Sequence, residues 1–114
     1  MSSISKVRQS IVLTGSGQLQ KLVNTAAGAS TATNITKAQV MTVFGQASAE
    51  DAEIKIYNEI GSGATAAKLI FHGKFGSAAN AVQEFKLPGI GIYADVGAYV
   101  VLTNCDFCYV IGTF

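Results

Sequence analysis

The one residue pair in this sequence with the spacing of a chemical motif is Cys105 and Cys108, a C-x-x-C pair. Such pairs act as redox centres where a helix N-terminus lowers the thiol pKa, or as half of a four-ligand zinc site. Both flanks here are rich in β-forming residues, so we expect no activating helix. The single histidine, His72, is distant in sequence, which leaves a zinc set incomplete within one chain. We therefore expect two ordinary cysteines around a hairpin turn, with Cys108 packed beside Val110 as a small apolar group.

The other polar residues lack the spacing that a catalytic site requires. His72 lies between Phe71 and Gly73 on the lysine side of its predicted strand, which favours an exposed imidazole over a catalytic base. Asp95 and Asp106 offer the two carboxylates of an acid–base pair but follow no motif. We interpret both as turn residues whose side chains bind local backbone.

Two further features have both a binding and a structural interpretation. The segment 89–97 is glycine-rich but lacks the Lys-Ser/Thr pair and the helix of a phosphate-binding loop, so we expect turns and bulges there. The four tyrosines are candidates for a carbohydrate-stacking site and equally for subunit contacts on outer strand faces. They are Tyr57, Tyr93, Tyr99 and Tyr109. We predict no catalytic residue, no cofactor and no metal site.

An alternation of apolar and polar residues with a period of two predicts β-strands along most of the chain. The strands at 98–103 and 107–111 flank Asn104-Cys105-Asp106 and are predicted to pair as a hairpin. Residues 24–34 are mostly small and predict a loop. A strand is expected over 38–44, with a short helix over 34–40 as the alternative. The other strands contain Ile11, Leu19, Ile54, Leu69, Phe85 and Ile90.

Eight or nine short strands with almost no helix predict an all-β fold, a single antiparallel β-sandwich of the jelly-roll type. A chain of 114 residues has room for one domain. We assign that domain to residues 1–114. The core candidates are apolar residues on one side of these strands: Ile11, Leu13, Ile54, Ile56, Leu69, Phe71, Phe85, Leu87, Val100, Leu102 and Val110.

The composition excludes an intrinsically disordered chain. Hydrophobic residues make up 49% of the sequence and charged residues only 13%, whereas disorder requires low hydrophobicity and high charge. A surface so poor in charge favours association, and we expect a homo-oligomer, with a trimer favoured. No segment reaches the length of a membrane span, and no apolar run follows the first basic residues, so we expect synthesis in a cytosol without a membrane or secretory step.

The charges are divided unevenly along the chain. Residues 1–49 contain Lys6, Arg8, Lys21 and Lys37 and no acid, whereas all seven Asp and Glu lie in residues 50–114. These four cations are too sparse for a nucleic-acid site. We predict that they face acidic groups of a protein partner, with Lys6 and Arg8 on one face of the first strand. A chance division of few charges is the alternative.

The second half of the chain resembles a group of known proteins. The order Ala52-Glu-Ile-Lys-Ile-Tyr57, Lys68-Leu-Ile-Phe71, Phe85 to Tyr93, Gly97 to Thr103 and Cys108 to Ile111 is similar to the small β-sandwich virion proteins of tailed bacteriophages. The resemblance implies a capsid decoration (cement) or tail-associated protein without catalytic residues. It further implies the major capsid protein or another virion protein as partner, and a location in virions assembled in the host cytoplasm.

Three functional hypotheses follow from these observations. The leading one is a capsid decoration protein that clamps adjacent shell subunits. The second is a tail, fibre or adaptor module of the virion that binds a receptor or glycan. The third is an enzyme or redox protein that uses Cys105 and Cys108.

Overall fold

The computed structural model describes residues 8–24, 30–61, 64–77 and 80–114, in which eleven strands and one short 3-10 helix occur. Lys6 and the start of the first predicted strand lie outside these ranges. The strands are β1 (Gln9–Leu13), β2 (Gly17–Gln18), β3 (Gln20–Asn24), β4 (Ser30–Asn34), β5 (Ala38–Ala47), β6 (Glu53–Tyr57), β7 (Leu69–Lys74), β8 (Val82–Lys86), β9 (Ile92–Ala94), β10 (Tyr99–Thr103) and β11 (Cys105–Thr113), and the helix is Ala66–Lys68.

The strands form two antiparallel sheets and one hairpin. Sheet A has the order β1-β11-β5-β8, with β9 pairing the first part of β5, and sheet B has the order β2-β10-β6-β7. Strands β3 and β4 pair only with each other. With β8 and β9 taken as one interrupted strand and the hairpin set aside, eight strands form two four-stranded sheets with the strand order of a jelly roll. The predicted all-β antiparallel sandwich is confirmed, with eleven strands rather than eight or nine.

The core lies between the inner faces of the two sheets. Val43 and Val110 of sheet A and Ile54 of sheet B are fully buried. Of the predicted core residues, five are buried: Ile54, Ile56, Phe71, Val100 and Val110. Five more are half-buried against the core, namely Ile11, Leu13, Phe85, Leu87 and Leu102. The core assignment of Leu69 is wrong, because β7 has one extra residue, Ile70, between the pairs Ile56↔Phe71 and Tyr57↔Leu69. This bulge turns the Leu69 side chain outward to 39% exposure.

The predicted C-terminal hairpin is wrong. Strand β10 pairs with β2 and β6 in sheet B, whereas β11 pairs with β1 and β5 in sheet A. Asn104 joins them in the left-handed region with a φ of 54°, a conformation that asparagine tolerates better than most residues. Both strands have an apolar inner face, so they cross the sandwich and face each other through the core.

The segment between residues 20 and 35 is a hairpin where the sequence predicted a loop over 24–34. Strand β4 pairs with β3 from Gln20↔Asn34 to Asn24↔Ser30, and residues 25–29 lie outside the described ranges. Threonine, a good strand former, offsets the small residues of β4. The Ile35 N–H donates to the Leu19 carbonyl (3.0 Å). The alternative helix over 34–40 is wrong, and the strand predicted over 38–44 is confirmed and continues to Ala47.

The glycine-rich segment forms the predicted turn and bulge. Strands β8 and β9 lie end to end along one edge of β5, and residues 87–91 protrude between them opposite Met41. The Leu87 N–H donates to the Met41 carbonyl at 3.0 Å, and the Gly91 N–H donates to the Pro88 carbonyl at 3.1 Å.

Candidate interaction surfaces

The two cysteines are free thiols in surroundings that keep them protonated. Cys108 points into the core beside Val110 as predicted, and its burial raises the pKa to about 12. Burial also raises the pKa of Cys105, whose Sγ lies 3.5 Å from the Glu53 carbonyl oxygen and 3.4 Å from that of Thr103. The thiolate is the reactive form of cysteine. Both thiols are therefore poor nucleophiles at neutral pH.

The outer face of sheet B is charged. Cross-strand pairing sets Glu53 opposite Lys74, and Lys55 opposite His72. The His72 Nε2 contacts Glu53 Oε1, and this hydrogen bond lowers the pKa of the Glu53 carboxyl, with Lys55 and Lys74 adding to it against partial desolvation. His72 is thus a surface imidazole, as the sequence predicted. Within the described residues, no three His, Cys, Asp or Glu side chains come close enough to hold a metal ion.

Asp95 and Asp106 lie at opposite ends of the sandwich. Asp95 follows β9, which pairs with the beginning of β5, and Asp106 lies in the β11 bulge beside the end of β5. Since β5 has ten residues, the two carboxylates are about 30 Å apart and cannot act as a pair. Asp95 accepts a hydrogen bond from Asn58 Nδ2 (2.8 Å), and Asn58 Oδ1 accepts one from the Val96 N–H (2.9 Å). The predicted role of both residues as turn residues that bind local backbone is wrong, because the Asp95 side chain binds the distant Asn58 side chain and Asp106 lies within strand β11.

The four tyrosines do not form one site. Tyr57 is only 7% exposed, but it follows the core residue Ile56 and so lies on the outer side of sheet B, paired with the half-buried Tyr99. Tyr93 and Tyr109 lie on the outer face of sheet A with exposures of 56% and 41%. Only these two tyrosines are available for stacking on a ligand or partner.

The outer face of sheet A carries an exposed apolar cluster, which we call the aromatic patch. Its centre is Phe44, Phe107 and Tyr109, with ring centroids 5.5–6.2 Å apart. Strand pairing places Val12 directly opposite Tyr109. Gln46 pairs with Phe107 on one side and with Val82 on the other, so Val82 lies in the same cross-strand row as Phe107. The patch consists of Val12, Phe44, Val82, Phe107, Tyr109 and Ile111, of which Val12 and Val82 are more than half exposed.

The sequence did not identify this patch. Phe107 and Tyr109 alternate with Cys108 and Val110 along β11, and the sequence correctly placed Cys108 and Val110 on the core side. The signal was an apolar residue at nearly every position of a strand, which is typical of a strand covered on both faces. In the described structure the inner side is covered by sheet B and the outer side is open.

Three of the four predicted interface cations are described, and all three are exposed. Gln9 and Val40 both pair with Gly112, so Arg8 and Lys37 lie where β1 and β5 begin, at one end of the sandwich. We call this the Arg8 end. The hairpin with Lys21 is attached at the same end, since the Leu19 N–H donates to the Ala98 carbonyl (2.8 Å).

Because the charges are divided unevenly along the sequence, the two ends of the sandwich differ in charge. At the opposite end, the β5–β6 turn brings Glu50 and Asp51 near the β10–β11 crossing, with Asn104 Nδ2 donating to the Glu50 carbonyl (3.0 Å). Asp106 lies in the same crossing. The Arg8 end is not free of acids, because Asp95 follows the residue paired with Ala38. Strands of both halves alternate in sheet A, so residues 8–49 do not form a separate face.

Within the described ranges, no helix has the length and apolarity needed to cross a bilayer. In comparisons with known proteins, no family model, no curated protein and no solved structure matches this chain.

Proposed function

We propose that this protein is a non-enzymatic structural protein of a bacteriophage virion, a capsid decoration protein that stabilises the head shell. The observation that carries the proposal is the aromatic patch on the outer face of sheet A. Apolar clusters exposed on a soluble chain mark protein–protein contacts, and aromatic residues are enriched in such interfaces. The jelly-roll topology, which occurs in viral capsid domains, and the resemblance of residues 52–111 to virion proteins support the same proposal.

The proposed partner is the major capsid protein, which the patch would contact. Three rings at 5.5–6.2 Å form a firm apolar surface, and burying a large apolar side chain contributes about 1.5–3 kcal/mol. A clamp that touches two shell subunits gains further from effective concentration. The partner surface must therefore offer apolar side chains for Tyr109 and Phe107.

A tail, fibre or adaptor module that binds a glycan is the second candidate. The exposed ring of Tyr109 beside Phe44 favours it, because aromatic faces stack on sugar rings and jelly rolls also occur as lectin domains. The two candidates differ in copy number. Densitometry of stained gels of purified particles should show a band comparable with that of the major capsid protein if the protein decorates the shell. A band at the level of tail proteins contradicts decoration and favours the second candidate.

A substitution in the patch tests the proposed contact directly. Tyr109→Glu places a charge at the centre of the patch, whereas Tyr93→Glu makes the same change at an exposed tyrosine outside it. We expect Tyr109→Glu to reduce occupancy on undecorated particles strongly and Tyr93→Glu to leave it near the wild-type level. Thermal unfolding of both variants should be measured to check that they remain folded. Equal occupancy for both variants contradicts docking through the patch.

We further propose that the protein assembles as a trimer. The low charge content supports association, and threefold sites of a shell favour a trimer. Light scattering should give three times 11.8 kDa. A mass of one chain at micromolar concentration contradicts a stable oligomer.

A further inference from the structure

A groove of about 240 Å³ runs along the outer edge of β1. One wall is the edge strand itself, with Ile11, Val12 and Leu13, and the other wall is the base of the β3–β4 hairpin. Ile11 and Leu13 are half-buried at the margin of the core, and Val12 is 54% exposed on the other side of the strand. The remaining lining residues are Gln18, Gln20, Lys21 and Ala32.

Among the residues that the structure describes, none pairs with the outer backbone edge of β1 along this groove. Strand β1 pairs with β11 on one side, and no other hydrogen bond among the described residues reaches Gln9–Leu13. In an antiparallel pair every second residue of an edge strand points its N–H and C=O away from its neighbour. The free edge of β1 therefore presents donors and acceptors directly to the groove.

The edge also lacks the usual protection against strand addition. Proteins protect exposed edges with charged residues, proline or very short strands. Strand β7 carries His72 and Lys74, and β8 carries Glu84 and Lys86, whereas β2 and β9 have three residues or fewer. In the two main sheets, β1 is the longest described edge strand without charge or proline.

The charges around the groove select the kind of partner. Lys21 lies in its wall and Arg8 directly precedes β1, both exposed. The ion pairs of the described residues are His72–Glu53 and Lys86–Glu84, so neither groove cation has a carboxylate within ion-pair distance in that part of the chain. A second copy paired through β1 would bring two Arg8 and two Lys21 side chains to one seam. Like charges disfavour that arrangement, and carboxylates on a different chain complement it.

We propose that the β1 groove binds an extended, acidic segment of another protein, which adds to sheet A as a strand beside β1. Main-chain hydrogen bonds to the free edge supply affinity, and alternate side chains supply specificity. Apolar side chains of the added strand pack on Ile11 and Leu13 on one side, and its acidic side chains alternate with them on the other side, next to Val12. Its carboxylates meet Lys21 and Arg8. This site is separate from the centre of the aromatic patch and holds whether or not the protein belongs to a virion.

Short peptides test the groove on the isolated protein. The probe is a fluorescent seven-residue peptide that alternates valine and glutamate, compared with its valine–lysine counterpart and with a copy whose alternate backbone amides are methylated. Fluorescence anisotropy at low salt should show about fivefold or greater preference for the glutamate peptide over the lysine peptide. The methylated peptide should not bind, because it cannot complete the ladder. Hydrogen exchange should show new protection at Gln9–Leu13.

A charge reversal locates the site. Lys21→Glu should weaken binding of the glutamate peptide by about three- to tenfold, and Lys68→Glu, a change at an exposed lysine outside the groove, should leave it unchanged.

Several results overturn the proposal: no binding at millimolar peptide, equal binding of the methylated peptide, or protection confined to other strands. Protection of β1 that rises with protein concentration alone would instead assign the edge to a second copy. Copy number in particles does not enter this test, so its failure is distinguishable from failure of the proposed virion role.

Discussion

Gly91 lies against the backbone of Val40, and a Cβ added to it would stand 2.1 Å from the Val40 carbonyl oxygen. Its φ of 85° is also in the region that side chains rarely adopt. This contact holds the protruding segment 87–91 against β5. Strand β9 can therefore pair with the same edge of β5 that β8 occupies further along. A single glycine thus maintains the continuity of one edge of sheet A.

Gly91→Ala should lower the free energy of unfolding by about 2–4 kcal/mol, because it combines an unfavourable φ with a clash against backbone. Gly89→Ala should cost about 1–2 kcal/mol, since Gly89 has a positive φ but open space around its Cβ position. Gly15→Ala has neither problem and is the control. Urea denaturation measures all three. Equal stability of the Gly91 and Gly15 variants contradicts the close approach.

Ile54→Ala should lower the free energy of unfolding by about 2–5 kcal/mol, because Ile54 is fully buried between the sheets. Leu69→Ala should cost about 1 kcal/mol or less, since this side chain points outward from β7. Chemical denaturation of both variants distinguishes them. A larger loss for Leu69→Ala would mean that another surface covers this residue.

The contrast between these two leucine-sized residues shows what the sequence could predict. Alternation identified the strand around Ile54 correctly because its register continues unbroken through β6. The same rule failed at Leu69, because the bulge at Ile70 within β7 shifts the alternation and leaves Ile70 packed against the core instead. The three consecutive apolar residues from Leu69 to Phe71 interrupt the alternation, but which of them faces outward depends on the pairing with β6.

Sheet membership was the second feature that local patterns could not predict. The residues of β10 and β11 predicted two strands correctly, although the predicted turn residues Cys105 and Asp106 belong to β11. A hairpin and a crossing between sheets have the same local sequence requirements. The choice depends on partners far away in sequence: β10 pairs with β6, and β11 pairs with β1 and β5. The aromatic patch escaped prediction for the same reason, since the pairings with β1 and β5 place Val12 and Phe44 beside Tyr109.

Glu53 should make the stability of the protein depend on pH below its ordinary pKa of 4.5. The His72 hydrogen bond lowers the pKa in the folded state, so the ionised carboxylate stabilises the fold above the unfolded value, and this contribution disappears as pH falls through the folded value. Glu53→Gln removes it. Urea unfolding from pH 7 to pH 3 should show a smaller loss for Glu53→Gln than for wild type, with Glu84→Gln as control. Parallel curves for wild type and Glu53→Gln contradict this role.

Cys108 should resist alkylation until the protein unfolds. Burial raises its pKa to about 12, so at pH 8 almost no thiolate forms and the reagent has no access. In the Cys105→Ser variant, mass spectrometry after iodoacetamide treatment should show an unmodified native chain and complete modification in urea. Rapid native modification would contradict the core position of Cys108 and would revive the redox hypothesis for the C-x-x-C pair.

The Arg8 end should act as a docking surface for the proposed shell partner. Arg8 and Lys37 lie together there by strand register, so the double variant Arg8→Glu, Lys37→Glu reverses the charge of one region. Each exposed pair contributes about 0.2–1 kcal/mol, and a repeated lattice multiplies such contributions. We expect reduced occupancy on undecorated particles at low salt and a smaller difference at high salt, because salt screens exposed pairs.

The matched control is Lys55→Glu, Lys86→Glu, which makes the same change of charge on sheet B and on the β8 edge. If both double variants lose occupancy equally, net charge and not the Arg8 end governs docking. If neither loses occupancy at any salt concentration, docking depends on the aromatic patch without help from these cations. The difference in charge between the Arg8 end and the opposite end, where Glu50, Asp51 and Asp106 lie, would then result from the chance order of charges along the chain.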